Sequence, residues 1–453
     1  MTNQSKQISK ETTRARWNWL LMAIVSSHGL IAHSAFADTE LKSNLTYQVR
    51  LPSEALSFPE PLPPQKSEPG FKFRGTKGYA WTPEQYMAEI PVLASYKMNF
   101  LMNCYLSLFT QSTGSFRNEW WKPLPDDKKK AYAEIFRSCR DHGITYCFAV
   151  HPQLDSTRPL NPLSDEDIGQ YYQNFAWAQS EGVRWFSISL DDVNWGTNGP
   201  AVGGLRHARL VNTILARLRQ KDPKAQIIFC PGPYYGDGTN PQHRAYLSAL
   251  GREMDPDVYV FWTGDGVVGS RITTNAAASY KSIVNHRLFL WDNYPVNDRS
   301  ATLHLGPVEG RDPGLCDLID GYMSNPMGTQ NAINRLPLAT CADYAYNPWD
   351  YDPDRSIGQA IFQLGKTDSQ RLVLKDLVEL YPGFVITGGN TGTNPIRVRF
   401  ERLMGKNGNE NAARELCRHL EEISARFNKE FPDQFQPANQ TVENDIAWMK
   451  KKM

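Results

Sequence analysis

Two adjacent aspartates, Asp191 and Asp192, come directly after an apolar run at residues 185–190. A run that is apolar at nearly every position is typical of a strand buried on both faces in a parallel sheet covered by helices. Successive side chains of a strand point to opposite faces, so neighbouring carboxylates can serve one ligand only where the chain leaves the sheet. In a parallel barrel, catalytic residues gather at this carboxyl end of the strands.

A close pair of carboxylates can divide acid and base chemistry between its members. The charge of the first to ionise makes the second harder to ionise, which is the division that cleavage of a glycosidic bond requires. The alternative is structural, because an Asp before a loop or helix often accepts backbone N–H bonds as an N-cap. The pair alone leaves both interpretations open.

The composition is that of a large globular protein without a strong global charge. Of the 453 residues, 41% are hydrophobic and 11% aromatic, enough for a sizeable core. The 49 basic and 48 acidic residues give a formal net charge of +1, so we expect neither nucleic acid nor an anionic membrane as a partner. The sequence has no CxxC pair and no cluster of His and Cys at metal-ligand spacing, so we assign no metal and no cofactor.

Both ends of the chain differ in character from its centre. Basic residues precede an apolar run at residues 17–32 and the sequence Ala35-Phe36-Ala37, which predicts a cleaved signal peptide over residues 1–37 and a secreted or periplasmic protein without a stable membrane anchor. Residues 38–70 are proline-rich and predict an extended linker. After residue 350 the strand signals stop, and apolar stripes at helical spacing predict a helical region over residues 351–453. The stripes are Leu372, Leu374, Leu377 and Val378, then Leu416, Leu420, Ile423 and Phe427.

Strand and helix signals alternate from residue 71 to residue 350. This repetition predicts a (β/α)8 barrel of the TIM type as the catalytic domain. The alternative is a doubly wound open sheet, although no Gly-rich phosphate loop follows the first strand. The predicted strands cover residues 71–79, 99–106, 144–151, 184–190, 226–231, 258–262, 287–291 and 321–325.

Polar and aromatic residues follow the later strands, where a barrel would bring them together at its mouth. Aromatic rings interleaved with Asn and Asp suit a pyranose ring, which is apolar on its faces and rich in hydroxyls at its rim. For Trp262 and Trp291 the alternative is that they only fill the barrel core. The residues after strands five to eight include Tyr234, Trp262, Trp291, Asn293, Asp298 and Asn325.

These motifs resemble those of glycoside hydrolase family 84, the β-N-acetylglucosaminidases that include the O-GlcNAcases. The resemblance covers most of residues 71–354 and follows the family's order: the Asp-Asp pair, Cys-Pro-x-x-Tyr-x-Gly, Trp-Thr-Gly, Trp-Asp-Asn-x-x-x-Asn-Asp, Leu-Gly-Pro and Asn-Pro. It implies a retaining hydrolysis in which the 2-acetamido oxygen of the substrate attacks the anomeric carbon and forms an oxazoline.

The resemblance also implies a role for each candidate residue. Asp191 would orient and stabilise the acetamido N–H, and Asp192 would act first as general acid and then as general base. The substrate-binding residues would be Tyr234 and Asn293 around the acetamido group, Trp291 in the pocket wall, Asp298 and Asn325 at the O4 and O6 hydroxyls, and Gly75 in the first strand.

Two departures from the family fall on the O3 side of the sugar. The family's first strand usually ends in Glu-Gly-Phe-Tyr-Gly, whereas residues 77–81 read Lys-Gly-Tyr-Ala-Trp. The family lysine that contacts the sugar near O3 has no counterpart, because residues 99–120 contain no lysine. We therefore hypothesise a remodelled O3 subsite for an unusual substituent, such as the lactyl ether of muramic acid. Lys77 is a cationic partner for it if the side chain points inward rather than outward.

The sequence thus predicts a retaining exo-β-N-acetylhexosaminidase whose substrate is an N-acetylhexosamine-containing glycan. One alternative is a catalytically weak glycan-binding protein that keeps the acetamido pocket. Another is an endo-acting, hyaluronidase-like enzyme. The intact set of Asp191, Asp192, Tyr234 and Asn293 favours catalysis over binding alone.

Overall fold

The computed structural model describes residues 47–109, 117–154, 156–298, 300–328 and 330–453. Eight parallel strands follow one another around a closed barrel, and the last strand pairs with the first. The predicted (β/α)8 barrel is therefore confirmed, and the open sheet is excluded. The strands are β1 Phe73–Gly78, β2 Phe100–Asn103, β3 Thr145–Val150, β4 Trp185–Ser189, β5 Gln226–Cys230, β6 Tyr259–Trp262, β7 Arg287–Pro295 and β8 Ile319–Asn325.

Helices cover the outside of the barrel and form the C-terminal region. Their starts follow local sequence signals: at α1, for example, Thr82 and Gln85 exchange hydrogen bonds in a reciprocal capping box. A 3₁₀ helix at Pro313–Asp317 precedes β8. The barrel helices are α1 Pro83–Ser95, α2 Tyr105–Phe109, α3 Asp126–Asp141, α4 Asp165–Ser180, α5 Pro200–Arg219, α6 Pro241–Glu253, α7 Thr274–Val284 and α8 Arg335–Tyr346. The later helices are α9 Pro353–Leu364, α10 Asp368–Leu380, α11 Phe384–Thr387, α12 Pro395–Met404, α13 Glu410–Glu430 and α14 Gln436–Lys452.

Aromatic rings fill the amino-terminal half of the barrel interior. They come from alternate strand positions, which point inward, and their ring centres lie 4.6–6.4 Å apart. This layer closes the floor of the barrel, so side chains further along each strand form its mouth. The rings are those of Phe73, Phe100, Trp185, Tyr259 and Phe289.

The helical C-terminal region follows the predicted apolar stripes with one exception. All four stripe residues of α13 are buried, and so are three of the four in α10. Leu372 is 49% exposed, because it lies on the solvent face of α10 just before the buried turn begins. None of the helices in the described part of the chain combines the length and the hydropathy that a membrane span requires.

The proline-rich segment at residues 47–70 contains neither helix nor strand, and it lies against the C-terminal helices. The Val49 N–H donates to Glu379 Oε1 at 2.8 Å, and the Asn347 side chain donates to the Pro61 carbonyl at 2.6 Å. These bonds anchor the start and the middle of the segment. The signal peptide predicted over residues 1–37 lies outside the described residues, so it stays a prediction.

Candidate active site

The two aspartates lie where the chain leaves the barrel wall. β4 ends at Ser189, and the N–H of Leu190 makes a further backbone bond to the Cys230 carbonyl at 2.9 Å. Asp191 continues the inward alternation of β4, and its side chain is 14% exposed. Asp192 has a φ of +57°. This left-handed conformation keeps the second carboxylate at the mouth instead of sending it to the opposite face.

The Asp192 carboxylate is held by Tyr234, whose hydroxyl donates to Oδ1 at 2.9 Å. Burial, and then the charge of Asp191, raise the pKa of Asp192, while the Tyr234 hydrogen bond and the charge of Lys77 oppose that rise. Burial and the two carboxylates raise the pKa of Tyr234, so its hydroxyl remains a donor. A raised pKa favours the protonated form of Asp192, which is the form that a general acid requires.

Neither aspartate acts as a helix cap. The next helix, α5, begins after Gly199, and no side chain caps its first turn. The N-cap alternative therefore does not explain the pair. Its carboxylates instead face groups from β1, β3 and β5, which surround the mouth of the barrel.

His151 directly follows β3 and fixes the main chain of Asp191. Its Nδ1 accepts from the N–H of Leu154 at 3.0 Å, so the ring proton is on Nε2, which donates to the Asp191 carbonyl at 2.9 Å. Asp191 Oδ1 lies 3.6 Å from Nε2, beyond hydrogen-bond distance. This oxygen is buried and has no hydrogen-bond partner among the described residues. It is placed to accept a hydrogen bond from a ligand.

Two asparagines connect the ends of β7 and β8. Asn325 Nδ2 donates to Asn293 Oδ1 at 2.8 Å, and Asn293 Nδ2 donates to the Val267 carbonyl at 2.7 Å. Asn325 Oδ1 and Trp291 Nε1 are buried and lack a hydrogen-bond partner within the described ranges. One is an acceptor and the other a donor, so together they suit a ligand rich in hydroxyl groups. Trp291 packs in the same interior cluster as Tyr234.

Lys77 is the last inward-facing residue of β1, so its side chain enters the mouth rather than pointing outward. The residue is 5% exposed. Its ammonium lies 4.1 Å from the ring centre of Trp291, 5.4 Å from that of Tyr79 and 5.8 Å from that of Tyr105. These rings attract the cation through their faces.

Asp298 lies apart from the enclosed residues, at the exposed rim. It has a φ of +45°, and its carboxylate accepts a hydrogen bond from the Thr391 hydroxyl at 2.8 Å. Thr391 belongs to the loop between α11 and α12, and its carbonyl binds His304 Nε2 at 2.8 Å. The C-terminal region therefore holds the loop that follows β7.

Asp292 faces away from the mouth, although it lies between two candidate site residues. Its carboxylate accepts two hydrogen bonds from the Arg311 guanidinium, at 2.7 and 2.9 Å, and one from the Tyr322 hydroxyl at 2.9 Å. Both members of the ion pair are almost fully buried. The middle residue of the Trp-Asp-Asn motif is therefore structural.

Gly75 and Trp262 do not reach the mouth. Gly75 lies in the middle of β1, where a Cβ would collide with the main chain of Phe100, so glycine permits the close approach of the two strands. The substrate-binding role expected for Gly75 stays a prediction. Trp262 is fully buried outside the barrel interior, and its indole N–H donates to the Gly236 carbonyl at 2.8 Å.

Comparisons with known proteins agree with this architecture. Residues 75–378 match the model of the NAGidase family, described as beta-N-acetylglucosaminidase. A solved O-GlcNAc hydrolase variant from Thermobaculum terrenum is similar, with a TM-score of 0.67 and 22% identity over 84% of this chain and 82% of that one. A structure described as CpGH84B has a TM-score of 0.64 and 20% identity, over 84% of this chain and 67% of that one. At these identities the two structures show the shared fold.

Proposed function

The chain belongs to the β-N-acetylglucosaminidase family, glycoside hydrolase family 84, and is therefore a glycoside hydrolase. We propose that it removes terminal β-linked N-acetylhexosamine by substrate-assisted hydrolysis. The observation that carries this proposal is the buried Asp191 Oδ1, which has no donor among the described residues and lies beside an aspartate of raised pKa. The N–H of a 2-acetamido group is the donor that this oxygen lacks.

In the first step, the acetamido oxygen of the substrate attacks the anomeric carbon. The glycosidic C–O bond breaks as Asp192 gives its proton to the leaving oxygen. Asp191 accepts the acetamido N–H and offsets the positive charge that develops as the oxazoline forms. Tyr234, which donates to Asp192 in the free protein, turns its hydroxyl to the acetamido oxygen.

In the second step, Asp192 is a carboxylate and acts as the base. It takes a proton from water, the water oxygen bonds to the anomeric carbon, and the bond from that carbon to the oxazoline oxygen breaks. The acetamido group is restored, and the product keeps the β configuration because the same carbon has been inverted twice.

The rest of the sugar ring would meet residues from the last strands and from β1. We propose Trp291 as the pocket wall and the open Oδ1 of Asn325 as a hydroxyl acceptor, with Asp298 at the rim for O4 and O6. The O3 side is remodelled in this proposal, because Lys77 enters the mouth from β1 while residues 99–120 supply no lysine.

Binding of an oxazoline-mimicking inhibitor tests the acetamido pocket. Calorimetry should show that Asp191→Ala binds the inhibitor at least about 10-fold more weakly than the unmodified protein, because a charge-assisted hydrogen bond is lost. The matched control is Asp317→Ala, which removes an exposed carboxylate before β8, at the amino-terminal end of the barrel, and should bind normally. Equal affinity of the Asp191→Ala variant and the unmodified protein would contradict the assignment.

Product analysis separates this function from the two alternatives. An exo-acting hydrolase releases the free sugar, initially as its β anomer, from aryl N-acetylglucosaminides. A glycan-binding protein would bind the inhibitor without turnover. An endo-acting enzyme would instead release oligosaccharides from hyaluronan.

We also propose that the protein acts in the periplasm or outside the cell. The basis is the N-terminal pattern of basic residues, an apolar run and Ala35-Phe36-Ala37. The mature chain should then begin at Asp38. Intact-mass measurement of the protein from periplasmic and culture fractions tests this, and a full-length chain found only in the cytoplasm would refute it.

A further inference from the structure

Lys77 is a buried lysine that forms no salt bridge with a described residue, although its charge acts on Asp192 at longer range. The residue is 5% exposed, and its side chain makes neither an ion pair nor a hydrogen bond within the described ranges. Its contacts are aromatic, and the closest ring is that of Trp291, with its centre at 4.1 Å.

Aromatic faces offset only part of the cost of taking an ammonium out of water. An apolar side chain would fill the same space without that cost. The Lys77 ammonium also acts on the catalytic pair, since its charge opposes the rise in the pKa of Asp192. A buried lysine that points into a ligand pocket and has no direct salt bridge is suited to an anion on the ligand.

We propose that Lys77 binds a carboxylate carried by the N-acetylhexosamine ring, as in a lactyl ether at O3. The substrate class is then acidic N-acetylhexosaminides rather than plain N-acetylglucosaminides. This inference rests on the proposed function, since the acetamido pocket sets how the ring is oriented.

The strand order favours a carboxylate on the ring over one on the leaving group. β1 is next to β8, which carries Asn325, whereas β2 and β3 lie between β1 and β4, the strand that leads to Asp192. The leaving group departs on the Asp192 side, and the acetamido group is directed at Tyr234 on β5. The substituent that reaches Lys77 therefore comes from the ring edge that carries O3 and O4.

Two aryl glycosides with the same leaving group test the proposal, one of N-acetylglucosamine and one of its O3-lactyl ether. We expect Lys77→Met to lower kcat/KM for the lactyl substrate by about 10- to 100-fold, the value of a hydrogen bond between charged groups. The plain substrate should lose clearly less than the lactyl substrate, because it presents no anion to the lysine.

Lys72→Met is the matched control. Lys72 is exposed at the amino-terminal end of the same strand, and its ammonium lies 5.3 Å from the ring centre of Phe73. The Lys72→Met substitution should leave kcat/KM unchanged for both substrates. Thermal melting checks that the Lys77→Met variant folds, and Lys77→Gln, which also removes the charge, replaces it if the methionine variant does not.

The possible results separate this inference from the proposed function. Equal losses on both substrates would overturn the carboxylate assignment and place Lys77 at a hydroxyl group. Normal turnover of the plain substrate with none of the lactyl substrate would also overturn it, while the hydrolase function stands. Absence of turnover of both substrates, with no binding of the oxazoline mimic, would overturn the proposed function itself.

Discussion

Replacing Asp192 by Asn removes the proton that the proposed mechanism gives to the leaving group, while the shape of the site is kept. Asn is among the residues that tolerate the left-handed conformation, here with a φ of +57°. Its side-chain oxygen can still accept the hydrogen bond that Tyr234 donates to Asp192 at 2.9 Å. The substitution therefore isolates acid and base chemistry from packing.

The expected loss depends on the leaving group. General acid catalysis contributes about 10²- to 10⁴-fold, so kcat/KM for an alkyl N-acetylglucosaminide should fall by that amount. A nitrophenolate departs with little protonation, so kcat/KM for the nitrophenyl glycoside should fall by less than about 10-fold. The second step, hydrolysis of the oxazoline, still lacks its base, so kcat for the activated substrate should fall further than its kcat/KM.

Steady-state rates for a series of leaving groups of rising pKa measure this directly. The plot of log kcat/KM against leaving-group pKa should be shallow for the unmodified protein and steep for Asp192→Asn. Asp317→Asn, which changes an exposed carboxylate far from the mouth, should reproduce the unmodified slope. Parallel plots for the Asp192→Asn variant and the unmodified protein would refute the assignment of Asp192 as the acid.

Three further predictions follow from the described contacts. The folded-state pKa of Asp192 is raised by burial and by Asp191, so the stability that Asp192 contributes is present below the ordinary pKa of an aspartate and is lost as the pH rises through the raised pKa. Asp192→Asn should therefore raise Tm at about pH 8 but not at about pH 4. An unchanged Tm at pH 8 would count against the raised pKa. Asp292→Asn leaves the buried Arg311 charge without its partner and should lower the free energy of unfolding by about 3 kcal/mol in urea denaturation, whereas a loss below about 1 kcal/mol would show that the pair is not structural. Thr391→Val removes a hydrogen bond to the exposed Asp298 and should raise KM by about 2- to 10-fold with little change in kcat, and an unchanged KM would exclude a role for this loop in binding.

Much of the architecture could be predicted from sequence because it depends on local patterns. Eight apolar runs separated by helical ones gave the number and order of strands, and the ends of those strands identified Asp191, Tyr234 and Asn293 as residues of one face. The side-chain period of a strand is two residues. It therefore also explains why Lys77 and Asp191 point inward while Asp292 points outward.

Other features depend on tertiary contacts that no local pattern contains. His151 follows β3 as Asp191 follows β4, yet its bond to the Asp191 carbonyl joins two strands and cannot be read from one segment. Trp262 and Trp291 end adjacent strands, but only the barrel geometry shows that one faces the helices and the other the mouth. Leu372 fits a helical stripe and is nevertheless exposed, because a periodic pattern does not specify where the packed face begins.

The dependence of the rate on the acyl group of the substrate tests most directly whether the acetamido oxygen is the nucleophile that Asp191 assists. Aryl glucosaminides that carry N-acetyl, N-fluoroacetyl, N-difluoroacetyl and N-trifluoroacetyl groups differ chiefly in the electron density on that oxygen. We predict that kcat/KM falls steeply along this series, by at least about 100-fold overall, because a weaker nucleophile raises the barrier to ring closure. A rate that is independent of fluorine substitution would contradict participation of the acetamido group and the role proposed for Asp191.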